Sequence, residues 1–379
     1  MKRIFMFLFA LAVAVSTLGG AQFTDVSAAE VIEISNVADL ICIADRPDAD
    51  YRLANDIDME ALDDLDGFEW ESIPSFSGYF YGDGHCITVI DEPLFGTIES
   101  GATVQDLGVL TADMIGDGVM AKIIKGDVKR CGVTGYGRIV GMDTRYDVAR
   151  GEYVGGFAGL ISGGTVSDCY ASLKIIGGGS TPVGAIAGKA ENAKILRCYS
   201  DSDVKGGAEY AGALIGDNSG SEVTDCYYCY YNKDNTELRG VGSGKDNTIG
   251  VSAEGHFMAD SFAGFDFTNV WHMVEGIISP SLISINGAGT EDNPYRIHNA
   301  EDFNRLIEAG SGTENAGMYY KLEADVDAYM KSLKSYEISF SGFFDGGNHS
   351  VRNISDSLFY SILPGAEVKN IIIVRDEDR

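Results

Sequence analysis

The chain has 379 residues and a formal charge of −29, from 57 acidic and 28 basic side chains. That surplus repels phosphate backbones and anionic lipid, so it excludes nucleic acid and argues against membrane surfaces as partners. With 48 Gly and only seven Pro, the chain reads as one of many tight turns and few rigid linkers.

The first segment, 1–21, reads as an export signal. Lys2 and Arg3 precede the apolar run Ile4–Val15, which is too short to span a bilayer, and small residues follow. Ala21 and Ala28 are alternative cleavage points. No Cys lies in that region, and no later stretch is apolar and long enough for a membrane helix. The expectation is an exported protein, secreted or held at a cell surface, with no membrane insertion once the signal is removed.

A module over 30–285 comes next. Asn36 stands where a helix N-cap belongs, with Asp39 in the first turn, which predicts a short helix over Val37–Ala44 that covers the end of the structure behind it. Strands are predicted over Tyr51–Asp58, Gly78–Tyr81 and His85–Ile90. Three copies of one segment follow, near 153–171, 182–200 and 210–228, with Cys169, Cys198 and Cys226 spaced 29 and 28 residues apart. A short period in a Gly-rich, β-branched sequence predicts an all-β parallel solenoid in which each copy is one coil. Within a coil, Val166 and Cys169 are three apart, so Ser167–Asp168 is predicted to be a bend and not mid-strand.

The Ser281–Asn293 stretch, rich in Gly, Asn and Asp, marks a boundary. Beyond it a partial second module occupies 286–379. Phe340–Val374 aligns with Phe76–Leu110 without a gap, Ile297–Phe303 with Ile34–Leu40, and Tyr320–Ala328 with Tyr51–Met59. A second capping helix, N-capped by Asn299 with Glu301 and Asp302 behind it, is predicted over Ala300–Ala309.

One slot recurs in the divergent copies as Leu107, Cys131, Cys169, Cys198, Cys226 and Ile371. A slot shared by Leu, Ile and Cys is apolar and interior, so these cysteines are expected as buried free thiols, with bridging between stacked neighbours as the alternative. Cys226 and Cys229 form a lone CxxC with no second ligand pair, a poor match to a zinc site. The residue before the slot alternates in sign: Asp106, Arg130, Asp168, Arg197, Asp225. Unless that alternation is coincidental, coils stacked about 4.8 Å apart would turn it into a charge ladder.

Four candidate sites stand out. His85 and His349, equivalent in the two modules, are expected to fix a turn by hydrogen bonding. Asp56 with Asp58, and Asp325 with Asp327, place two carboxylates on one strand face; capping or solvation is the plainer role, and Ca²⁺ the one speculative ligand, since no cofactor is otherwise expected. Tyr227, Tyr228, Tyr230 and Tyr231 form the densest aromatic cluster, which either closes the last coil or offers a binding surface. The GxG runs at Gly177–Gly179 and Gly240–Gly244 open no helix, so phosphate binding is not indicated.

The elements at Gly156–Gly159, Ala185–Gly188 and Ala213–Gly216 resemble the GLUG repeat of bacterial surface proteins. The aromatic tail Phe262–Ile283 and the opening element Phe340–His349 resemble those of the same family; Phe76–His85 departs from the latter by Tyr81 in place of Asp. The resemblance implies a right-handed β-solenoid on secreted or displayed proteins, often adhesin-like, with no shared catalytic activity. Some large relatives cleave IgA through a separate protease domain bearing His-Glu-x-x-His. The five His of this chain form no such motif. The expectation is therefore a non-enzymatic adhesion or binding module for an unknown glycan or surface protein. The alternative is a polysaccharide lyase or hydrolase, which would show two or three carboxylates from adjacent coils converging on a groove with a basic residue nearby.

Overall fold

The computed structural model describes residues 31–374 apart from 65–69, 112–113, 116, 141, 144–147, 150–151, 179, 207–208, 231–236, 277, 301, 304–316, 328–338 and 355–356. The predicted export signal, Tyr231 and most of the second capping helix lie outside the described residues.

The first module is a parallel β-solenoid with three long sheets, of eight, ten and six strands. One coil shows how the sequence makes the turn. Strand Ala158–Ser162 lies in the six-stranded sheet, Thr165–Ser167 in the eight-stranded sheet and Tyr170–Ile176 in the ten-stranded sheet. Each pairs in parallel with the same segment of the next coil, as in Val166↔Ile195 and Tyr170↔Tyr199. The inward residues Val104, Val128, Val166, Ile195 and Val223 stack into one continuous core, since a strand sends alternate side chains to opposite faces.

The corner between the second and third of those strands is the predicted bend. Asp106, Arg130, Asp168, Arg197 and Asp225 all have φ near +50°. Non-glycine residues enter this region at a cost of roughly 1–2 kcal/mol, with Asp and Asn the best tolerated. The slot that follows is fully buried at Leu107, Cys131, Cys169, Cys198 and Cys226, and all seven cysteines are free thiols. Burial pushes the Cys169 and Cys226 thiols well up from their ordinary value. The signs at the corner pair as a ladder. Arg130 donates from Nε and Nη2 to the two oxygens of Asp106, both at 2.7 Å. Arg197 does the same to Asp168 at 2.7 and 2.6 Å.

The glycines of the repeat act at another corner. A Cβ on Gly155, Gly184 or Gly212 would strike the carbonyl oxygen of Ala158, Ala187 or Ile215 respectively. Only glycine lets the chain cross its own backbone that closely.

The opening helix forms over Val37–Ile41 and tightens into a 3₁₀ turn over Cys42–Asp45. Asn36 Oδ1 accepts from Asp39 N at 3.0 Å, while Asp39 Oδ2 accepts from Ser35 N at 3.0 Å, a variant of the capping box in which the returning bond reaches the residue before the cap. Val37, Leu40 and Ile43 are buried beneath it. The strand expected over Tyr51–Asp58 is two strands, Asp50–Leu53 and Ile57–Asp58.

After the last coil the aromatic tail folds back across the outer face of the ten-stranded sheet. The Tyr of each Cys-Tyr pair anchors it: Tyr227 OH donates to Ala263 O at 2.9 Å, Tyr199 OH contacts His256 Nδ1 at 3.2 Å, and Tyr170 OH contacts Asn286 Oδ1 at 3.3 Å. Phe262, Phe265 and the fully buried Trp271 pack over them. The antiparallel pair Trp271–Val274 and Ile278–Leu282 then delivers the chain to the first coils, where the second module begins. That module has its own core, around Tyr295, Phe303, Tyr320, Phe340 and Phe344, and its own parallel sheets.

Candidate functional site

The second module docks beside the opening coil of the first, and the two enclose a cleft of about 660 Å³. Its walls are the same element used twice. Ile57–Asp58 pairs with Ile87 and Thr88; Val326–Asp327 pairs with Val351 and Arg352. In each pair the aliphatic points inward, which brings the flanking carboxylates to the rim.

The local chemistry is duplicated. Asp56 Oδ1 accepts from Cys86 N at 2.9 Å and lies 3.1 Å from His85 Nδ1. Asp325 Oδ1 accepts from Ser350 N at 2.7 Å and lies 3.6 Å from His349 Nδ1. His85 thus makes the turn-fixing hydrogen bond, whereas His349 stands in the equivalent place at ion-pair distance without one. The second carboxylates are also engaged: Asp58 Oδ1 accepts from Glu60 N at 3.0 Å, and Asp327 Oδ1 from Asn353 Nδ2 at 2.7 Å.

One partner breaks the symmetry. His298, from the second module, places Nδ1 2.6 Å from Asp56 Oδ2, while its Nε2 faces the Ile285 carbonyl oxygen at 3.2 Å. The side chains of His298 and Asp56 are only 1% and 7% exposed. Burial alone would raise the Asp56 carboxyl, yet the His298 charge and the hydrogen bonds from His298, His85 and Cys86 N hold it well below the usual carboxylate range. Burial likewise opposes charge on His298, but the Asp56 carboxylate and its hydrogen bond carry its pKa well above the ordinary value. Burial pushes the adjacent Cys86 thiol up to about 11, so it stays protonated at neutral pH. The result is a dry imidazolium–carboxylate pair that joins the modules behind the cleft.

The sequence signal for this pair was available in the alignment of the modules, where His298 stands opposite Ser35. Nothing in a single histidine named its partner 242 residues away. The Asp56 oxygens face His298, His85 and Cys86 N. Among the described residues no group of three or more His, Cys, Asp or Glu is arranged to hold a metal ion.

The aromatic cluster is split. Tyr227 is 1% exposed and lies under Phe262 and Phe265, so it seals the coil and presents no surface. Tyr228 and Tyr230 are half-buried. A one-residue alternation predicts which side chains leave the core, but not that the tail returns to cover them.

The cleft also draws Glu60, Lys321, Glu323 and Arg352 into one polar lining. Carboxylates from both modules thus line one cleft with basic residues nearby, although they come from two modules and not from adjacent coils of one.

Two of the solved structures that resemble the chain carry names that bear on function. One, from Bacteroides ovatus, is provisionally assigned as an immunoglobulin A1 protease; it shares 16% identity over 66% of this chain and 92% of its own, with a TM-score of 0.47. The other is named IgA1 protease, with 16% identity over 57% of this chain and 21% of its own and a TM-score of 0.42. Among curated proteins none matches the sequence. The expectation of a non-enzyme is corrected by these names, since both neighbours are described as IgA1 proteases. The names describe those proteins, and likeness at this level carries no activity to this chain. What the sequence does carry is the GLUG motif, whose family model matches residues 150–176.

Proposed function

We propose that this is an exported binding module, secreted or held at a cell surface, whose inter-module cleft takes a stretch of uncharged glycan. The observation that supports this reading is the cleft itself, about 660 Å³ and lined by carboxylates, amides and basic side chains from both modules. Such groups hydrogen-bond vicinal hydroxyls, and pockets of this volume hold drug-sized or oligosaccharide-sized ligands. The charge of −29 favours a neutral ligand over pectin-like or sulfated polymers. A basic protein segment is the competing occupant.

The test is binding of the purified chain from Ala29 onward to an array of neutral and acidic polysaccharides and extracellular proteins. Neutral polysaccharides are expected to bind, and the double substitution Asp58→Asn, Asp327→Asn to weaken binding about tenfold or more, the effect of about 1.4 kcal/mol. Binding only to basic proteins, or binding indifferent to both substitutions, overturns the proposal.

A second reading is cleavage of the bound glycan. It draws on Asp58 and Asp327, two carboxylates brought to one cleft by different modules, since glycosidic hydrolysis uses a carboxylate pair. Chromatography of the same incubations decides it. Release of oligosaccharides that stops with Asp58→Asn or Asp327→Asn favours cleavage, and intact polymer favours binding alone.

A further inference from the structure

The opening strands of the two modules share a feature that the coils between them lack. On the outward face of the eight-stranded sheet, Tyr79 and Tyr81 lie parallel, with ring centroids 6.2 Å apart and planes 15° apart. In the second module the corresponding face carries Tyr319 and Phe343, 4.6 Å and 18° apart. Phe343 is the equivalent of Tyr79 in the module alignment. Neither pair belongs to a core: Phe80 and Phe344, on the opposite faces of the same strands, fill the interior, while Tyr79 is 45% exposed.

Coil stacking does not demand these rings. The row through Tyr79 starts at Val31 and Asp50 and continues through Thr103, Asp127, Thr165, Lys194 and Glu222 without another aromatic. Those coils stack equally well on polar side chains. In this row of the eight-stranded sheet the ring at Tyr79 is thus not repeated in the later coils.

In the second module the rings line a pocket of about 370 Å³ together with Lys321, Asp345, Glu367 and Lys369. Registration puts Tyr319, Phe343 and Glu367 in one row, and Lys321, Asp345 and Lys369 in the next. An apolar ring surface therefore runs beside alternating cations and carboxylates. A sugar ring has the matching form, with C–H bonds on its face and hydroxyls around its edge. Phe343 has no polar atom to offer water; one face stacks on Tyr319, and a sugar ring would cover apolar surface that this stacking leaves open.

We infer that the Tyr319–Phe343 pocket is a saccharide-binding site, with the Tyr79–Tyr81 face of the first module as its counterpart. The ligand class rests on the glycan reading above, but apart from Lys321 the residues are different. The rings would pack on one or two sugar rings, Asp345 and Glu367 would accept from hydroxyls, and Lys321 and Lys369 would donate to them. No bond is made or broken there.

The experiment is titration of the whole chain with neutral oligosaccharides of increasing length, read by calorimetry and by NMR of the tyrosine ring protons. Phe343→Ala and Tyr319→Ala are each expected to weaken binding about tenfold. Phe343→Tyr keeps a ring and is expected to keep the affinity, which separates stacking from folding. Tyr319 ring signals are expected to shift on saturation. If an alanine variant does not fold, Phe343→Tyr and the Tyr319 signals still decide. Binding that leaves Tyr319 unshifted and is lost only with Asp58→Asn and Asp327→Asn overturns this site and leaves the cleft standing. No binding of any neutral oligosaccharide overturns both.

Discussion

At Asp56 and His298 the energetics turn on what happens when one partner goes. Taking two charges out of water is costly, and a pair buried this deeply recovers that cost only through close geometry and further hydrogen bonds. Both are present: the 2.6 Å contact, with Cys86 N and His85 on the carboxylate and the Ile285 carbonyl on the far ring nitrogen. Removing one partner strands the other, so Asp56→Asn is expected to destabilise the folded chain by about 3 kcal/mol, measured by denaturant unfolding. The double variant Asp56→Asn, His298→Gln should lose less than the two single changes added together. The pH dependence follows from the directions of the shifts. The depressed Asp56 pKa contributes stability that is present above its unfolded value and lost as pH falls through the folded value. The raised His298 pKa contributes stability that is full below its unfolded value and lost as pH rises through the folded value. Cys86, His85 and Asp302 face the same imidazole region, and the thiol near 11 ionises only at strongly alkaline pH. Thermal stability of the native chain should therefore decline from neutral toward alkaline pH, and His298→Gln should flatten that decline. A native profile that is already flat would remove His298 from the interface energetics.

At the scale of the coil, the left-handed corner and its charge ladder were legible because their signals were local. Three-residue spacing between Val166 and Cys169 ruled out a continuous strand, and the alternating signs needed only the coil repeat to become neighbours. The glycines were legible as turn residues, but not as the sites where the chain crosses its own carbonyls; that depends on how coils meet. Asp168 separates the two effects at the corner. Asp168→Asn keeps a residue suited to positive φ and loses the bidentate contact with Arg197, which at this partly exposed site is expected to cost about 1 kcal/mol or less. Asp168→Ala loses the contact and also places a Cβ-bearing residue without a local hydrogen-bonding side chain at φ +54°, adding roughly 1 kcal/mol. Equilibrium unfolding should rank native above Asn above Ala, and molar salt should shrink the first gap more than the second. Equal losses in both variants would mean that the ladder contributes nothing and backbone conformation everything.

On the scale of the molecule, the internal alignment exposed two modules and their boundary but said nothing of how they meet. That arrangement is written in the tail, where Phe262, Phe265 and Trp271 bury themselves on the Tyr170–Tyr199–Tyr227 column and return the chain to the coil at which it began. A sequence reading takes those tyrosines for the end of an array, because the segment that covers them is aromatic and irregular and carries no period. The cleft and the Asp56–His298 pair are consequences of that return, so they were beyond reach from either module alone. Cys86 offers a direct report on it. Its sulfur lies beside Gly108 and Ile285 under the docking segment, whereas Cys42 is exposed and Cys169 and Cys198 belong to the solenoid interior. Brief alkylation at neutral pH followed by peptide mass mapping should label Cys42 first and leave Cys86 protected by both burial and its raised pKa. His298→Gln should speed labelling of Cys86 several-fold while Cys169 and Cys198 stay protected, because it loosens the junction and not the coils. Labelling of Cys86 and Cys169 rising together would instead mean that the second module and the first open as one unit, and that the pair behind the cleft supports the whole solenoid.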